Sequence, residues 1–308
     1  MAQLHHSRMK KNLYIALILA SVVAISCSED DVTSSLKDTT VPFLPASNDQ
    51  SEEAQLRREF YRDYASFLLF NDTLQHYPLG RDVNGDIYYF TEVLDLNYQV
   101  GMSTAATEKF SYTLLDEDEH KQIAVQYLKD YLLVHLTGKM RPYSWLLVNK
   151  IQRDFSGTIS SPYAAAGQRA VVIACNVLPR LSDAQKVQYT AQVMNTIIAQ
   201  LAVDQAEAFV EFLQISSSNY NGTFTKPATK AENTRRLNEA GFISRGTNDL
   251  NQEDDGLYPS QEQDIKAFSR LVAANSEETL AERYADYPLV VQKCVIMRKT
   301  LTSLGYVE

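Results

Sequence analysis

The sequence predicts an α+β fold, with a small sheet region in its N-terminal half and a mostly helical C-terminal half. Two observations carry that expectation. Runs rich in β-branched and aromatic residues ("DIYYFTEV", "YSWLLVNKI", "RAVVIACNVL") all precede residue 180. From Ser182 onward, apolar residues recur almost wholly at helical spacing. No internal repeat is found.

The first helix is expected near Glu52, where Leu56, Phe60, Tyr64, Phe67 and Leu68 recur at helical spacing. Asn84-Gly85 reads as a turn ahead of a β-rich run. "DEDEHKQIAVQYLKDYLLVHLTG" predicts a helix with acids at its positive end. Ile123, Tyr127, Tyr131 and His135 share one of its faces, and Gly138 is fit to end it. The Gly/Ser-rich "SGTISSPYAAAG" reads as a loop between two strands. Ser182 and Gln185 form a capping box for a helix whose apolar stripe is Val187, Ala191, Met194, Ile198 and Leu201. Asp204 and Glu207 read as a second capping box restarting that helix. Later helices open at Ser260, Ser276 and Pro288, and Gly305 closes the last.

The 308 residues are 45% hydrophobic, enough for a real core. With 29 Lys and Arg against 38 Asp and Glu, the net charge is −9. That balance excludes a nucleic-acid partner, whose phosphates need a basic footprint, and offers nothing to anionic lipid headgroups.

The N-terminus is more specific. "MAQLHHSRMKKN" carries Arg8, Lys10 and Lys11 and no acid, and an apolar run from Leu13 to Ile25 follows. That run falls well short of the about 20 residues of a spanning helix, so it reads as a secretory leader. Ala24, Ile25 and Ser26 precede Cys27, a pattern that resembles the bacterial lipobox and makes Cys27 the expected lipid-attachment residue. The "SEDD" directly after it resembles the signal that exports Bacteroidetes lipoproteins to the outer face of the outer membrane. The expected organisation is a signal peptide over 1–26, an acidic, Ser/Pro-containing tether over 27–52, and one domain over 53–308. The tether is too poor in large apolar groups to offset its ordering entropy.

Chemistry is sparse. Besides Cys27, only Cys175 and Cys294 are present, each in an apolar context that suits a buried thiol; whether they pair is open from sequence. His5 and His6 belong to the leader. His76, His120 and His135 remain, none with another four residues away. A helical zinc site of the HExxH type needs that spacing to aim two imidazoles at one ion. No G-x-S-x-G or P-loop is present. Asp204, Glu207 and Glu211 would share one helical face, which reads as a solvated face rather than a cation site. "NQEDDGLYPSQE" from Asn251 matches EF-hand spacing at Glu253, Asp255, Gly256 and Glu262. Asn first and Pro259 ninth argue for an acidic surface loop. Of the 18 tyrosines, those beside apolar residues, such as Tyr127 and Tyr131, are expected in the core.

The segments "AVVIACNVLPRL", "VMNTIIAQLA", "FLQISSSNY", "AGFISR", "SQEQDIKAFSRLV" and "VVQKCVIMRKTLTSLGY" follow an order from Trp145 to the C-terminus. That order resembles the substrate import-associated zinc metallohydrolase (metallopeptidase) lipoproteins of the Bacteroidetes. The resemblance implies a zincin-like fold in which "NTIIAQLAV" occupies the HExxH turn. Ala199 and Val203 then stand at the histidine positions and Gln200 at the catalytic glutamate. "QDIKA" stands at the family's acidic E-D-x-x-E segment as Gln263, Asp264 and Ala267, with only Asp264 keeping its charge. Val cannot ligate a cation, and Gln cannot take a proton from water. The implied protein has no catalytic residue, no metal and no other cofactor. It is a lipid-anchored accessory or binding component of a TonB-dependent nutrient-import complex at the outer membrane. An active hydrolase with an unrecognised site and a purely structural surface lipoprotein are the alternatives.

Overall fold

In the computed structural model, residues 43–96, 108–245 and 256–307 are described. The leader and Cys27 lie outside the described residues, as do 251–255 of the EF-hand-like loop.

Helix α1 (Glu52–Tyr64) opens on Ser51, whose side chain accepts from the Ala54 amide. The strands follow: β1 (Phe67–Leu69), β2 (Thr73–Arg81), β3 (Ile87–Val93) and β4 (Glu108–Thr113). Helix α2 (Asp118–Tyr127) runs on through a wider π turn, Leu128–Leu132, and ends near His135. β5 (Ser144–Val148), β6 (Lys150–Phe155), β7 (Thr158–Ser160), β8 (Ala164–Ala166) and β9 (Val171–Ala174) complete the strands. The rest is helical: α3 (Asp183–Asp204), α4 (Val210–Gln214), α5 (Lys230–Glu239), α6 (Gln261–Ala274), α7 (Glu277–Arg283) and α8 (Pro288–Leu304). The fold is α+β, and every strand among the described residues precedes residue 180.

The central sheet has the order β1-β5-β9-β8, with β1, β5 and β9 parallel and β8 antiparallel at the edge. Its inner strands are buried on both faces, so side chains alternate between two cores. Leu68, Trp145, Leu147, Val171 and Ile173 face the helical core. Phe67, Leu69, Leu146, Val148 and Val172 face a second core, closed by Ile151 of β6 and Phe110 of β4. β4, β6 and β7 form a separate antiparallel sheet, and β2 with β3 a hairpin.

The capping residues at Ser182, Ser260 and Ser276 are where the sequence expects them, and Gly305 ends α8 at φ +112. Five expectations are corrected. Phe67 and Leu68 do not continue α1 but form β1. Val187 and Ala191 of the α3 stripe are exposed, and the buried face is Val193, Met194, Ile197, Ile198 and Leu201. Asp204 caps nothing: the chain bends at Gln205 into a short turn without a side-chain cap. "SGTISSPYAAAG" contains β7 and β8. Described structure begins ahead of the expected boundary at residue 53, because Phe43 is buried against Phe67 and its carbonyl accepts from Arg57. All described residues fall in one compact unit, Pro42–Glu308. None of their helices is long and apolar enough to cross a membrane.

Candidate functional site

Helix α3 buries one face, which leaves Asn195, Ala199 and Val203, spaced four apart, on another. Helix α6 packs against α3. With Ile265, Phe268 and Val272 turned into the core, α6 presents Lys266, Ala267 and Arg270 on its other side. These two faces and strand β8 enclose a cleft of about 930 Å³. Ala199, Gln200, Val203 and Ala267 all line it, although α3 and α6 lie far apart in sequence.

The third wall is set by strand pairing. Ala174 N donates to Tyr163 O and Gly167 N to Ala170 O, so the odd-numbered residues 163–167 bond toward β9. In an antiparallel ladder the alternate residues point their N–H and C=O the other way. Ala164 and Ala166 therefore turn their backbone groups away from β9, along the sheet edge that lines the cleft.

The polar groups here are engaged. Gln200 Nε2 donates to Asp204 Oδ1 at 3.0 Å, one turn along its own helix. Arg153 pairs with Glu108 and Lys266 with Glu262. Arg283 donates to Asn275 at 3.0 Å. Among the described lining residues, Arg153, Lys266, Arg270 and Arg283 outnumber Glu108 and Glu262, and each of these bases has a partner. No His or Cys is among the described lining residues. Such walls can bind an extended chain through backbone hydrogen bonds.

Asp264 does not join the other motif positions. It sits on the opposite side of α6, fully buried in contact with Lys293 of α8 and accepting from Tyr220. Ala267, also in "QDIKA", does line the cleft.

The remaining candidates scatter. His76 lies on the β2–β3 hairpin, with its ring stacked on Tyr89 and Nδ1 2.9 Å from Thr91 Oγ1. His120 is beside Glu117 on α2, and His135 Nδ1 is 2.8 Å from the Val307 carbonyl. The bend at Gln205 breaks the helix that would align Asp204, Glu207 and Glu211, and Glu211 pairs with Lys299 at 3.5 Å. Glu262 belongs to the first turn of α6, and Glu253 and Asp255 lie outside the described residues. Among the described residues no group of three His, Cys, Asp or Glu gathers to hold a metal. Cys175 and Cys294 are both buried and free. Tyr127 is in the core, whereas Tyr77, Tyr88 and Tyr89 are exposed on the hairpin.

Sequence reasoning missed β8. No family model, curated protein or solved structure matches the chain.

Proposed function

We propose that this chain is a surface-anchored lipoprotein with a metallopeptidase-like cleft that binds a ligand without cleaving it, as an accessory component of a nutrient-import system. One observation carries the reading. Of the positions the resemblance singles out, Ala199, Gln200 and Val203 line the cleft together with Ala267 of the "QDIKA" segment, while Asp264 is buried away from it. None of the four cleft-lining side chains can ligate a metal as an anion or imidazole, or act as a base.

The zincin-like layout is supported by the same features: an antiparallel edge strand beside the α3 face, over a sheet that is otherwise parallel. The free backbone groups of Ala164 and Ala166 suit an extended chain laid along β8, where main-chain bonds supply affinity whatever the side chains.

The test is binding and cleavage measured together on a library of extended peptides. The wild type should bind members of the library and return them intact. Ala166→Pro removes one outward N–H without touching the ladder to β9, and should weaken binding about tenfold. Cleavage by the purified wild type, or binding indifferent to Ala166→Pro, would count against the reading.

A further inference from the structure

Away from the cleft, Lys293 and Asp264 are both fully buried and in direct contact inside the core. Aromatic rings surround the amine. Lys293 Nζ lies 4.5 Å from the ring centre of Phe212 and 4.7 Å from those of Phe242 and Phe268. Tyr220 adds a fourth ring at 5.7 Å. The carboxylate is held unevenly: the Tyr220 hydroxyl donates to Oδ2 at 2.6 Å, while Oδ1 is buried with no hydrogen-bond partner. Ser216 Oγ accepts from Lys293 Nζ at 3.4 Å and donates to the Ala240 carbonyl at 2.9 Å. Gly241, at φ +82, makes room for this, since a Cβ there would stand 2.7 Å from Ser216 Oγ.

Charges in a low-dielectric core are costly, and an orphan carboxylate oxygen adds to the cost. Burial pushes the Asp264 carboxyl up to about 6 against the pull of Lys293 and Tyr220. Burial also pushes the Lys293 amine down, against the pull of Asp264. Both shifts run toward a neutral amine facing a neutral acid.

We propose that Lys293 and Asp264 condense without a cofactor into an intramolecular isopeptide bond that crosslinks α6 to α8. Lys293 Nζ attacks Asp264 Cγ. The Nζ–Cγ bond forms and the Cγ–Oδ1 bond breaks. Oδ1 leaves as water, carrying two protons that began on the ammonium. The Tyr220 hydrogen bond stabilises the negative charge that develops on Oδ2 in the tetrahedral intermediate. Ser216, by accepting one N–H, orients the amine. The aromatic walls exclude the water that would reverse the step. The product is a neutral amide, so two buried charges and the unpartnered oxygen disappear together. The link closes a loop of 29 residues in sequence, which restricts the unfolded chain as a disulfide would.

Peptide mapping of the denatured full chain tests this directly. Trypsin should yield a branched species joining 246–266, which carries Asp264, to 284–298, with no cleavage after Lys293. Its mass should equal the sum of the two peptides less one water. Lys293→Met and Asp264→Ala should each remove that species, and Tyr220→Phe should leave linked and unlinked chains mixed. Separate peptides 246–266 and 284–293 from the wild type would overturn the proposal and leave a buried ion pair. That result is read on the wild type, so a misfolded variant cannot obscure it.

Discussion

Gln200 and Asp204 are joined by a hydrogen bond of 3.0 Å along the cleft side of α3, from the Gln200 amide to the Asp204 carboxylate. Where the resemblance expects a glutamate aimed at a bound water, a neutral amide is turned along its own helix. The α3 face is thus internally satisfied rather than poised for a missing ion.

Rebuilding a site is therefore predicted to depend on α6 as well as α3. Ala199→His, Gln200→Glu and Val203→His together place two imidazoles one turn apart beside a carboxylate. Asp264 cannot complete the set, because it is buried on the far side of α6 against Lys293. Adding Ala267→Glu should tighten zinc binding by at least about tenfold over the triple variant, measured by competition with a chelating dye. Gln200→Glu alone should cost about 0.2–0.5 kcal/mol, since it trades a hydrogen bond for like charges at i, i+4.

The N-terminal boundary can be tested by limited proteolysis. Composition places the tether after Cys27, but Phe43 is buried and held through Arg57. First cuts are expected between Ser28 and Phe43, with 43–53 protected. Phe43→Ala should destabilise the fold by about 3 kcal/mol and move the cuts toward α1, as read by denaturant melts and mass mapping.

Lipidation is expected at Cys27, on the strength of "AISCSEDD" behind a basic, apolar leader. Cys27→Ala should lose labelled fatty acid and leave the outer-membrane fraction. Replacing "SEDD" by alanines should keep the lipid but reduce exposure to external protease.

The thiols give a pH-dependent test. Burial raises both, Cys294 to about 12 and Cys175 further, so neither is a thiolate near neutrality. Both should resist alkylation in the native protein at pH 8 and react once it is unfolded. Modification of either at the rate of a free thiol would contradict the packing described.

How much was legible follows from the range of each determinant. The capping boxes at Ser182 and Ser260 need only three residues, and sequence locates them. Strand β8 is three alanines, whose extended form is imposed by Val171–Ala174 across the ladder. Nothing local announces it, so the cleft's third wall went unseen. Asp264 looked like a surviving ligand because its partner, Lys293, lies two helices later. Ala199, Gln200, Val203 and Asp264 were singled out by a resemblance in segment order, and the first three line the cleft.

The central claim, a cleft of this layout that works without a metal, is tested most directly by the zinc content of the untagged wild-type protein. The account predicts no stoichiometric zinc and a melting temperature that chelator leaves unchanged, because no ion binds selectively to the folded state. Roughly one equivalent of tightly held zinc, with a chelator-dependent fall in melting temperature, would contradict it.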